Sequence, residues 1–134
     1  MSGTGSIETI KSAYAAFGRG DVDAILAALT DGIDWAADTS SDAAPWYGVR
    51  TGKAEVAAFF EEVGKTIEID DFTPVTYAAN DDGDVFVIVR WAWRSRQTGK
   101  VAKMNLHHWW RVTGGKISYF RGAEDTPTTL AALA

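Results

Sequence analysis

Residues 85–112 read VFVIVRWAWRSRQTGKVAKMNLHHWWRV. The fold class turns on these residues. It holds two runs rich in β-branched and aromatic residues, Val85 to Arg96 and Val101 to Val112, joined at Thr98 and Gly99. Such composition suits pleated strands. A half-buried strand alternates apolar and polar residues, but here both faces are largely apolar. In the first run one face carries Phe86, Ile88, Arg90, Ala92 and Arg94, and the other Val85, Val87, Val89, Trp91 and Trp93. In the second, Leu106, His108, Trp110 and Val112 oppose Asn105, His107, Trp109 and Arg111.

Working outward, Gly114 and Gly115 turn the chain into a further run, Ile117 to Glu124. Upstream, Asn80 to Gly83 reads as a hairpin turn. It is preceded by Ile67 to Ala79, in which Pro74 requires an edge position or a bulge. These four runs form an antiparallel meander.

The first half is helical. Ile7, Ile10, Ala13, Tyr14 and Phe17 have helical spacing, with Ser6 as the cap and Gly18 and Gly20 as the stop. Asp21 caps a short helix, Val22 to Leu29. Ile33 to Ala36 is a short strand, Asp38 to Gly48 a loop, and Lys53 to Lys65 a third helix burying Val56, Phe59, Phe60 and Val63. Asp125 to Ala134 is a candidate short helix. The expectation is one α+β domain over residues 1–134, with three N-terminal helices packed on a curved, mostly antiparallel sheet.

Composition narrows the function. Lys plus Arg is 13 against 18 Asp plus Glu, so a basic nucleic-acid face is not expected. No cysteine is present, which removes disulfides, thiolate catalysis and Cys-based zinc sites. The N-terminus is short and polar, and no run of about 18 apolar residues exists, so neither a signal peptide nor a membrane span is expected and the default is a cytoplasmic protein. There is no phosphate-binding glycine loop and no nucleophile elbow. His107 and His108 point to opposite strand faces and cannot chelate one metal. A site without cofactor or metal follows.

The three helices can cover only one sheet face. The other needs a cover, for which a second copy of the chain is the simplest candidate. A homodimer is expected, anchored by Trp91, Trp93 and Trp109, since Trp is favoured at interface centres. The alternative is a strongly curled sheet that buries these rings internally.

Several stretches together resemble the SnoaL-like and ketosteroid-isomerase-related proteins. They are YAAFGRGDVDAIL at 14–26, Ile33-Asp34-Trp35, Trp46-Tyr47-Gly48 with Gly52-Lys53 and Phe59-Phe60, Thr98-Gly99-Lys100, HWWRVTGGKI at 108–117, and Glu124-Asp125-Thr126. The resemblance runs from Ile7 to Leu133. It implies the NTF2-like cone, a cavity between helices and concave sheet, and dimerisation through the outer sheet face. It does not imply one activity, since relatives isomerise, cyclise, open epoxides or only bind.

By the same resemblance, Tyr14 and His108 are hydrogen-bond donors to a substrate oxyanion, as in the ketosteroid isomerases. Arg90 matches an arginine that orients carboxylates, with Asp34, Asp38 and Glu124 as possible partners. The isomerase base position falls on Ala37, leaving Asp38 as the nearest carboxylate. The epoxide-hydrolase carboxylates become Ala92 and Gly122, which argues against that reaction. Polyketide cyclases use a carboxylate near the end of the sheet, where Glu124 and Asp125 lie. Trp35, Trp46, Tyr47, Phe60, Ile88 and Trp110 are the expected ligand-binding wall, suited to a small hydrophobic molecule. Three functions stay open: a cofactor-independent proton-transfer enzyme of isomerase or cyclase type acting on a hydrophobic carbonyl compound, a non-catalytic binding protein, and a structural dimer module with a filled core.

Overall fold

Apolar residues at helical spacing, followed by glycines, generate the N-terminal helices, and the period changes to two after residue 66. The computed structural model describes the backbone from residue 3 and side chains from residue 5, through to residue 134. Met1 and Ser2, part of the short polar N-terminus, lie outside the described residues. Helix α1 spans Gly3–Gly18 and α2 spans Val22–Ala27. Asp21 caps α2, accepting from the Ala24 N–H at 3.1 Å. Ser6 does not cap α1. The helix already begins at Gly3, so Ser6 sits within it and is fully buried.

Strand β1 covers Leu29–Ala37, β2 Val49–Thr51, and α3 Lys53–Thr66. β1 is longer than the apolar pattern of Ile33 to Ala36 indicates, because it gains partners on both sides. It pairs with β2 antiparallel and with β6, Lys116–Ala123, in parallel. β3, β4 and β5 run Ile67–Ala79, Asp84–Ser95 and Val101–Thr113. The sheet order is β2-β1-β6-β5-β4-β3. Pro74 lies on the edge strand β3, where the register also shifts between Pro74 and Thr76. Helix α4, Thr126–Leu133, closes the described chain, with Asp125 accepting from the Thr128 N–H.

The helices pack on the concave face of this curved, open sheet. Residues directly opposite in an antiparallel pair share a face. Val87 is opposite His108, and Trp91 is opposite Met104. The inward set of β4 is therefore Val85, Val87, Val89, Trp91 and Trp93, all buried. This corrects two expectations. Arg90 and Ile88 stand on the outer face, one residue out of phase with the cavity. Trp91 and Trp93 are interior rings, packed against Trp46 at centroid distances of 6.3 and 5.9 Å, and cannot anchor a partner. The internal burial weighed as the alternative holds for these two. With two apolar faces, the residues of β4 leave its phase undetermined, and only the pairing with β5 sets it.

Of the three expected anchors only Trp109 faces outward. It is 38% exposed, stacks on Phe86 across the β4–β5 pair and meets Tyr119 of β6. Its indole N–H donates to the Asp84 Oδ1 at 3.1 Å. No described helix is long and apolar enough to cross a membrane.

Candidate functional site

Phasing α1 on β5 brings Tyr14, Trp110 and His108 together. The Trp110 Nε1–H donates to the Tyr14 hydroxyl oxygen at 2.9 Å. The Tyr14 oxygen is in turn 2.7 Å from His108 Nδ1. An indole N–H only donates, so the Tyr14 proton is free to go to the imidazole. Burial pulls the His108 pKa down to about 3, and the neighbouring His107 charge acts the same way. The ring is therefore neutral near pH 7, Nδ1 accepts from Tyr14, and the ring proton resides on Nε2. Burial pushes the Tyr14 hydroxyl well above its ordinary range, against the Trp110 hydrogen bond, so it stays protonated.

Sequence reasoning expected Tyr14 and His108 to act side by side on a ligand. The structure places them in series. Tyr14 spends its proton on His108, and among the described residues no hydrogen-bond partner meets Nε2. The terminal donor of the chain is His108 alone.

The seat of His108 depends on Gly122, which lies directly across on β6. A Cβ at residue 122 would come within 2.8 Å of the Phe120 ring and 3.2 Å of His108 Cδ2. Only glycine lets both rings close over the strand at this point.

These groups line a cavity of about 90 Å³ between α1, α2, α3 and the concave sheet face. Tyr14, Trp35, Trp46, Phe60, Trp110 and His108 all contribute to it. Trp35 packs between Phe60, Trp110 and Phe120 at centroid distances of 5.5, 5.6 and 4.2 Å. Phe59, Phe60 and Phe72 are only half-buried and form the thinner part of the wall. Among the described residues no Lys or Arg lines the space.

One carboxylate does line it. Glu124 follows immediately after β6 and continues the inward phase of Phe120 and Gly122. It sits two residues beyond Gly122, about 7 Å farther along an extended chain. The Trp46 Nε1–H donates to Oε1 at 2.9 Å, and the Tyr47 hydroxyl to Oε2 at 3.0 Å. The Thr129 hydroxyl, fully buried on α4, also donates to Oε2. Tyr47 thus meets the site through Glu124 rather than lining the cavity. Burial, with the Glu124 charge acting in the same direction, pushes the Tyr47 hydroxyl up to about 12.

Three expected site residues lie elsewhere. Asp38 is exposed, one step past the inward Ala37, so strand alternation turns it to the other side. Its backbone N–H donates to the Gly122 carbonyl at 2.7 Å. Arg90 pairs with Asp71 at 2.6 Å on the outer face, not with Asp34, Asp38 or Glu124. Ile88 is half-buried on that same outer face. Between the two C-terminal carboxylates, Glu124 takes the cavity and Asp125 caps α4. The signal that separates them is the inward phase Phe120, Gly122, Glu124, legible once one member of the strand is assigned.

Comparison with solved structures gives the same fold over the full chain. An NTF2-like protein of unknown function from Burkholderia pseudomallei K96243 is 24% identical, with 100% of this chain and 99% of that one covered and a TM-score of 0.88. TerC, crystallised with polyporic acid, is 20% identical at a TM-score of 0.83, covering 96% of this chain and 98% of its own. A candidate polyketide cyclase from Xanthomonas campestris pv. campestris is 18% identical at 0.74, covering 98% of each. At these identities the likeness shows the fold alone. No curated protein matches the sequence. The family profile described as SnoaL-like domain matches residues 10–120, and on that match, with the cone-shaped α+β architecture, the chain belongs to the SnoaL-like family.

Proposed function

We propose that the chain is a cofactor-independent enzyme that moves a proton on a small, apolar carbonyl compound held in the aromatic cavity. The observation that carries this reading is the pairing, on one face of the sheet, of a neutral imidazole N–H from β5 with a single carboxylate just beyond the end of β6. His108 Nε2–H would donate to the carbonyl oxygen and stabilise the enolate as charge develops there. Glu124 would take the proton from the adjacent carbon and return it. Tyr14 and Trp110 act through His108, holding its tautomer. Solved relatives of this fold include candidate isomerases and a candidate polyketide cyclase, which is compatible with proton-transfer chemistry. The cavity volume is below the roughly 300 Å³ of a drug-sized pocket and below the roughly 150 Å³ that admits a single benzene ring, so a ring compound enters only as the half-buried wall of Phe59, Phe60 and Phe72 yields.

A non-catalytic binding role is the second reading. The observation favouring it is that Glu124 already accepts from three donors, which ties down the group that must move a proton. Deuterium exchange at the α-carbon of 1-indanone separates the two. The enzyme reading expects exchange above the buffer rate, lowered at least 100-fold in Glu124→Gln and about as far in His108→Gln. Binding of 1-indanone without faster exchange supports the second reading.

The outer sheet face supports a homodimer proposal with a revised anchor. Trp109 and Phe86, 38% and 44% exposed and stacked, are the apolar centre available to a second copy.

A further inference from the structure

The charge pattern of the cavity is one-sided. Its wall is aromatic and aliphatic except for the Tyr14 hydroxyl, the His108 imidazole, the tryptophan N–H groups and the Glu124 carboxylate. Tyr14 and His108 are both neutral near pH 7 for the reasons given above. Among the described residues, Glu124 is the single formal charge in the lining. Its three recorded donors, Trp46, Tyr47 and Thr129, are all uncharged, and no cation forms an ion pair with it among the described residues. The negative charge is therefore solvated by dipoles and balanced by no counter-ion.

From this we infer that the cavity is charge-selective, taking neutral and cationic ring compounds and rejecting anionic ones, with Glu124 as the residue that sets the selectivity. An anionic ligand would bring a second negative charge beside Glu124 in a low-dielectric space, where like charges repel far more strongly than in water. It would also meet no Lys or Arg able to accept it. A ligand ammonium would supply the missing counter-charge while lying against Trp46 and Trp91, whose ring faces attract cations. The inference rests on the reading of this cavity as a ligand site, but does not need that site to be catalytic.

Three probes on one indane frame test it, 1-indanone, 1-aminoindane and indane-1-carboxylate, with indane-1-carboxamide as the neutral match in size for the carboxylate, titrated at pH 7.5 against tryptophan fluorescence. The wild-type protein should bind the carboxylate at least tenfold more weakly than the carboxamide, and the amine at least as tightly as the ketone. In Glu124→Gln the carboxylate penalty should fall below threefold and the amine should lose about tenfold. Equal binding of carboxamide and carboxylate by the wild type overturns the inference and leaves the ligand-site reading intact. A carboxylate penalty that persists unchanged in a folded Glu124→Gln removes Glu124 as its cause. Binding of none of these compounds overturns both readings together. The wild-type series decides the charge preference even if the variant fails to fold.

Discussion

Tyr14 and His108 are joined head to tail: the phenol oxygen lies 2.7 Å from Nδ1, and the same oxygen accepts the Trp110 indole proton. The consequence is a directed chain from β5 through α1 and back to β5, ending at one imidazole proton. Removing the middle member strands the other two.

Tyr14→Phe keeps the ring and deletes the hydroxyl. It leaves the Trp110 N–H and His108 Nδ1 buried without partners, a cost of about 1–3 kcal/mol. Thermal melting should fall accordingly. Nitrogen-15 shifts of His108 should change from a single Nε2–H tautomer to a mixture. An unchanged tautomer in this variant would contradict the serial arrangement.

His108 makes stability acid-sensitive. Its folded pKa, about 3, lies below the unfolded value of about 6.5. Below 6.5 the unfolded chain binds a proton that the folded chain refuses. Stability is thus full above that pH and declines as pH falls toward 3, by up to roughly 1.4 kcal/mol per unit. Urea midpoints measured from pH 7 to 4 should decline more steeply in the wild type than in His108→Gln. Parallel slopes would assign the acid loss to other groups.

Gly122→Ala places a methyl group within 2.8 Å of the Phe120 ring. Neither Phe120 nor His108 can give without disturbing the cavity, so overpacking should cost about 1–3 kcal/mol. Near-UV circular dichroism should report the displaced aromatics. A variant as stable as wild type, with the same aromatic spectrum, would mean the rings have slack that the packing does not reveal.

The tryptophans of β4 and β5 should separate cleanly by role. Trp93→Ala empties a fully buried site and should destabilise the chain by about 3–5 kcal/mol. Trp109→Glu, on the outer face, deletes the indole hydrogen bond to Asp84 and sets a carboxylate beside it, so it should cost about 0.5–1.5 kcal/mol, well short of Trp93→Ala, and should leave the chain monomeric in light scattering where the proposed dimer is expected of the wild type. Retention of the dimer after Trp109→Glu, with Phe86 also replaced, would remove the outer aromatic pair as its centre.

Much of the architecture was legible because period and punctuation agree. Ile67–Ala79 has the same bounds in sequence and structure, and spacing, glycines and the Asp21 cap place the helices and hairpins, whereas Ser6 lies inside α1 and Leu29, expected to end α2, opens β1. β2 was missed because Val49–Thr51 is too short to show a period and exists only through its pairing with β1. In the site, the inward placement of Tyr14, Trp35, Trp46, Phe60, His108 and Trp110 was legible. Arg90, Ile88 and Asp38 were misplaced by a single residue of phase, which in a strand reverses the side chain. The Tyr14–His108 bond could not be read from sequence at all, since it depends on the distance between a helix and a strand 94 positions apart.

Because Thr129 hangs from the same carboxylate that lines the cavity, α4 is tethered to whatever Glu124 is doing. A visitor that draws Glu124 inward loosens that tether, and one that leaves it alone does not. Amide exchange along Thr126–Leu133 should thereby report occupancy of the proposed site from the rim, without labelling the interior.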